Sequence, residues 1–129
     1  MKVPLSFPSI DHRDMDNVHN VLRSGQLVQG SYVKALETIV RDLIGVSHAV
    51  AVSSGTATLH LALLSLGVGP GDEVIVPAFS YVATANVVEL VGAKPVFVDI
   101  RPNSYNINSE KIEGAITNHT KVIMPVHEF

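Results

Sequence analysis

Strand–helix–strand alternation along the chain predicts an α/β fold, a mainly parallel sheet flanked by helices. Two features carry that expectation. The strand candidates are short and apolar, and helix-length segments with apolar faces separate them. Asp11 is an N-cap for a first helix from about His12 to Leu22, with Val18, Val21 and Leu22 on one face. "SGQLVQGS" is a Gly-punctuated loop. A second helix, about Tyr32 to Ile44, places Val33, Leu36, Ile39, Val40 and Leu43 at spacings of three and four, and Gly45 ends it.

From there strands and helices alternate. His48 to Val52 reads as a strand and Thr56 to Leu66 as a helix. "GVGPGDE" is a tight turn into a strand from Glu73 to Val76. Tyr81 to Val91 reads as helical and Pro95 to Asp99 as a strand. "RPNSYNINSE" is a loop, Ser109 caps a short helix to about Ile116, and Lys121 to Val126 is a final strand. In such a sheet, ligands gather beyond the carboxyl ends of the strands. That rule selects Ser53 to Ala57, Pro77 to Thr84, Asp99 to Tyr105, and His127 onward.

Composition narrows the chemistry. The chain has 129 residues, 47% of them hydrophobic, which is the size of one globular domain with enough apolar material for a core. Aromatics are only 5%, so Ala, Val, Leu and Ile must supply that core. A net charge of -3 without a block of like charge argues against nucleic acid or a charged membrane surface as partner. With no cysteine there are no disulfides, thiolate metal sites or Cys nucleophiles. "MKVPLSFPSI" has no apolar h-region and does not read as a signal peptide, and the Ser, Gly, Thr and His interruptions of the apolar stretch Ala49–Gly67 disqualify it as a membrane span. The expectation is a cytoplasmic protein. Six histidines show no pair at convincing ligand spacing, so no metal site is expected. His60, amid "TLHLAL", reads as a core histidine, and His127, just past a strand, is open to a site role.

Two segments have the chemistry of a site. In "SSGTA", Gly55 permits a sharp turn, and Thr56 and Ala57 begin a helix whose first N–H groups lack intrahelical partners. Those donors, the hydroxyls and the helix dipole suit a phosphate, while an ordinary serine cap explains the same residues. One strand later, "VPAFSYVATAN" repeats the layout. Its aromatics could stack on a flat ring or merely cover the sheet, and Thr84 and Asn86 could be cofactor contacts or helix-surface polars.

Taken together, "VSSGTATLHLALLSLGVGPGDEVIVPAFSYVATANVVELVGAKPVFVDI" resembles the DegT/StrS-type sugar aminotransferases, fold type I enzymes that use pyridoxal 5'-phosphate (PLP). "GQLVQGSYVKALE", "NSYNINSEKIEGAIT" and "KVIMPVHEF" extend the likeness in the family's order, from about Val3 to Phe129. The resemblance implies that residues 1–129 form the N-terminal part of a PLP-binding large domain of aspartate aminotransferase-like type. It maps the phosphate contacts to Gly55, Thr56 and Ala57, and the aromatic that stacks on the pyridine ring to Tyr81. It also implies an amino-acid donor, a nucleotide-linked keto-sugar as acceptor, a role in sugar, polysaccharide or antibiotic biosynthesis, and a homodimer.

The family's Schiff-base Lys and the Asp that pairs with the pyridinium nitrogen are expected beyond residue 129, because "KVIMPVHEF" reads as cut inside a motif. Lys2, Lys34, Lys94, Lys111 and Lys121 are all poorly placed to substitute, so the chain by itself is expected to be inactive. Two other readings remain at this point. One is a dehydratase of the same family that works from the pyridoxamine (PMP) form. The other is a truncated, non-catalytic remnant that binds at most phosphate.

Overall fold

The computed structural model describes residues 7–129, so Lys2 and the start of the resemblance at Val3 lie outside the described residues. These fall into two compact units, one through Ala51 and one from Val52 onward.

The first unit holds two helices, α1 (His12–Ser24) and α2 (Ser31–Ile44). Asp11 caps α1 as expected. Its carboxylate accepts from the N–H groups of Arg13 and Asp14, and Asp14 accepts in return from the Asp11 N–H. Gly25 and Gly45 close the two helices in the left-handed conformation. Neither helix buries a residue within the described chain.

The strand expected over His48 to Val52 is not formed. A strand exists only through a ladder, and this segment joins none of the described strands. The Ala51 N–H donates instead to Glu37 Oε1 at 3.0 Å.

The second unit contains α3 (Gly55–Ser65), β1 (Glu73–Pro77), α4 (Ala83–Leu90), β2 (Lys94–Val98), α5 (Ser109–Ile112) with a 3-10 turn over Glu113–Ala115, and β3 (Thr120–Ile123). The strands form a wholly parallel sheet in the order β2-β1-β3. β1 is central and buried along its whole length, which is why "EVIVP" carries no polar alternation. Its Val74 and Val76 pack with Val87, Val88 and Val91 at α4 and with Leu63 of α3. Ile75, between the two valines, is equally buried. Of the boundaries that differ from expectation, three have a local cause. α4 begins two residues late, at Ala83, because residues 78–82 form the turn out of β1. Asn108, not Ser109, caps α5. β3 stops at Ile123, and Pro125 beyond it has no N–H to continue a ladder.

Turns at the amino edge of the sheet set the level of the helices. Gly92, between α4 and β2, has φ 78°, and a Cβ there would sit 3.0 Å from Pro70 Cγ, so only glycine fits. Lys121 Nζ reaches from β3 to the Gly67 carbonyl and to Asp72 Oδ2, pinning the turn after α3 to the sheet. Glu73, at the start of β1, accepts from Thr117 Oγ1 at 2.6 Å and from Lys94 Nζ at 2.9 Å.

These bonds have a pH consequence. The Thr117 hydroxyl, then the Lys94 ammonium, hold Glu73 below its ordinary carboxyl value, and the Gly69 N–H with Lys121 does the same for Asp72. A carboxyl that is more acidic when folded stabilises the fold at neutral pH, and that contribution is lost on acidification. The urea midpoint should therefore fall as the pH drops below the ordinary carboxyl range, about pH 4, and Glu73→Gln should remove part of the fall. An unchanged slope in the variant would take Glu73 out of the acid response.

Candidate functional site

Both long helices of the second unit run back along the sheet. Each ends in a short turn into the start of a strand, α3 into β1 and α4 into β2. An 11-residue helix rises about 16 Å, close to the span of a five-residue strand. The amino ends of α3 and α4 therefore face the carboxyl edge of the sheet, where a parallel sheet binds its ligands.

At the first of these ends, Ser54 is the N-cap and its Oγ accepts from the Ala57 N–H at 3.1 Å. The cap reading of this segment thus holds in geometry, and it leaves room for the other. The N–H groups of Gly55 and Thr56 are bonded to no acceptor among the described residues. Ser54 accepts through its oxygen, so its hydroxyl proton is free to donate outward. A Cβ placed on Gly55 would meet nothing within 4 Å, so the turn is uncrowded on that side. Two free N–H groups, two hydroxyls and the positive end of an 11-residue helix make a donor set suited to a phosphate dianion. Ala57 can add its own N–H when Ser54 releases it.

At the second end, residues 78–82 carry Phe79, Ser80 and Tyr81. Tyr81 is 75% exposed. Phe79 instead packs on Tyr105, centroid to centroid 5.7 Å, and Tyr105 meets the ring of Phe129 edge-on at 5.6 Å. Glu128 N–H donates to Asn106 Oδ1. The segments after β1, β2 and β3 are therefore in mutual contact at the carboxyl edge. Tyr105 holds φ 58°, a left-handed conformation that costs a residue with a Cβ about 1 kcal/mol or more. Its N–H donates to the Arg101 carbonyl at 2.8 Å, which closes the turn that carries it.

The remaining candidates separate from the site. Thr84 is buried rather than on the helix surface, and its hydroxyl is bonded to Ser80. Asn86 and His127 are exposed. His60 is half-buried and outside the core cluster, a correction to its reading as a core histidine; α3 turns Leu59 and Leu63 inward instead. Asp99, at the end of β2, is held by Lys111 Nζ at 2.7 Å and by the Ile100 N–H, in that order of effect, and its carboxyl stays below the ordinary value. Among the described residues no cluster of three metal-ligating side chains occurs, and no helix is long and apolar enough to cross a membrane.

Similarity to known proteins shows the family of the chain. The model of the DegT/DnrJ/EryC1/StrS aminotransferase family matches residues 8–129. The chain belongs to that family. A UDP-4-amino-4-deoxy-L-arabinose–oxoglutarate aminotransferase from Shewanella sediminis is 47% identical over 125 residues, covering 97% of this chain and 32% of that protein. A Streptococcus pneumoniae protein described as a sugar aminotransferase and solved in its PMP form superposes with a TM-score of 0.90 at 42% identity, over 97% of this chain and 32% of its own. NtdA from Bacillus subtilis, solved with bound PMP, gives a TM-score of 0.82 at 42% identity, over 88% of this chain and 26% of its own. The chain spans between about a quarter and a third of the length of these proteins. The S. pneumoniae protein is also known in its PLP form, and the fold of residues 7–129 is that of part of an α/β aminotransferase-like domain.

Proposed function

We propose that residues 1–129 are the N-terminal part of the large domain of a PLP-dependent aminotransferase, and that the α3–α4 edge holds the cofactor. The observation that carries this reading is the pairing, on one edge of a parallel sheet, of unpartnered N–H groups at Gly55 and Thr56 with an open tyrosine ring at Tyr81. The donor set, with Ala57 in reserve, binds the phosphate and fixes the cofactor's position. Tyr81 lies against the pyridine face and fixes its tilt. When bound, PLP supplies an electron sink for the carbanion left when a proton is removed from the amino substrate. The residues described here bind and orient. They hold no proton in transfer.

The complete protein would move an amino group from an amino-acid donor to a nucleotide-linked keto-sugar, in the synthesis of a sugar or polysaccharide. Support comes from the family and from the S. sediminis relative, whose name carries a UDP-linked amino sugar and oxoglutarate. The same reading makes it a homodimer, as the family resemblance implies, and keeps the cytoplasmic location expected from a sequence that does not read as carrying a signal peptide or membrane span.

Tyr81→Ala tests the site in the full-length protein. Losing one stacked aromatic contact should weaken PLP retention about tenfold, with Tyr81→Phe near the parent value. Dissociation constants from cofactor fluorescence measure it. An unchanged affinity in Tyr81→Ala removes Tyr81 from the site.

A further inference from the structure

Tyr81 sits in the turn between β1 and α4 with its ring largely exposed, so its height and tilt are set by the backbone that carries it. That backbone is gripped twice by one residue. The Thr84 N–H donates to the Tyr81 carbonyl at 3.0 Å, and the Thr84 hydroxyl is hydrogen-bonded to Ser80 Oγ at 3.0 Å. Thr84 is 5% exposed, so water is a poor substitute for Ser80 as its partner. Shape alone does not ask for a hydroxyl here, because valine fills the same volume in the first turn of α4. On the other side of the turn, Phe79 is seated on Tyr105.

We propose that Thr84 is a positioning residue for Tyr81, acting through its hydroxyl bond to Ser80 and its backbone bond to Tyr81. This rests on the reading of Tyr81 as the ring that stacks on the cofactor. Thr84 touches no cofactor atom in this scheme. It removes the torsional freedom of residues 80 and 81, so the tyrosine face is ordered before the cofactor arrives.

The test uses the full-length, PLP-loaded protein and four variants: Thr84→Val, Thr84→Ser, Tyr81→Ala and the double Thr84→Val/Tyr81→Ala. The readouts are the rate of PLP release on dialysis and the visible circular dichroism of the bound cofactor. Thr84→Val should speed release about tenfold, the scale of one lost buried hydrogen bond, and weaken the dichroism. Thr84→Ser keeps the hydroxyl and should behave as the parent. In the Tyr81→Ala background, Thr84→Val should add nothing further, because it acts through the missing ring. A merely structural role would give additive effects in the double variant, and that result overturns the proposal. So does parent-like release from Thr84→Val while Tyr81→Ala is impaired. Parent-like release from Tyr81→Ala sinks the stacking role itself. Should Thr84→Val fail to fold, Ser80→Ala deletes the same bond from its other end and must show the same non-additivity.

Discussion

Leu63→Ala should lower the unfolding free energy by about 2–5 kcal/mol, the largest single-residue stability effect expected in the chain. Leu63 is 1% exposed on α3 and packs into the cluster formed by Val74, Val76, Val87, Val88 and Val91. Those neighbours are mostly valines, whose branched, stiff side chains cannot lean into a void. The cavity would stay open, so the cost belongs in the upper part of that range. Leu64, the next residue, is exposed, and Leu64→Ala should change stability by less than about 0.5 kcal/mol. Urea midpoints of the two variants measure the contrast. Equal shifts would mean that α3 does not present Leu63 to the sheet.

The second large effect is chemical, and it is expected to be an absence. Adding PLP to the 129-residue chain and reducing with borohydride should label no single lysine predominantly. Lys94 is bound to Glu73, Lys121 to Asp72 and Lys111 to Asp99, each by an ion pair of 2.7–3.1 Å. Lys94 and Lys121 also stand at the starts of β2 and β3, the edge opposite Tyr81. A lysine that attacks a carbonyl must be desolvated or otherwise activated, and these three are spent on structure. Peptide mapping after reduction reads the result directly. One dominant labelled lysine would reassign the chain from a holding part to a catalytic one.

Local chemistry made much of this legible in the sequence. Asp11 caps α1, Gly45 ends α2, and the apolar run inside "EVIVP" announces a strand, because each is a rule about neighbouring residues. What escaped was decided at long range. The apolar His48–Val52 has the composition of a strand, but a ladder needs a partner, and no composition supplies one. Thr84 stayed open between a cofactor contact and a surface polar, because burial depends on how α4 meets β1 and β2. The Phe79–Tyr105 contact joins residues 26 apart, and nothing in either local motif signals it. The candidate site was readable in its parts. Gly55, Thr56, Ala57 and Tyr81 were each ambiguous alone, and the topology is what turns their helix ends toward one edge. The Ser54 bond to the Ala57 N–H was readable only as a generic cap.

Glu73 also bears on the order in which the chain assembles. Its two side-chain bonds close loops of different length, 21 residues to Lys94 and 44 to Thr117. Doubling a loop costs about 0.6 kcal/mol more in closure entropy, so the β1–α4–β2 crossover unit forms from nearer contacts than the β1–β3 pairing. The valines that fill the sheet's main core lie mostly inside the shorter loop. On that ground β3 is expected to add to a surface already built, with the Thr117 hydroxyl completing on Glu73 a junction that Lys94 has begun. A growing chain could therefore set the edge that carries Tyr81 before its third strand is in place.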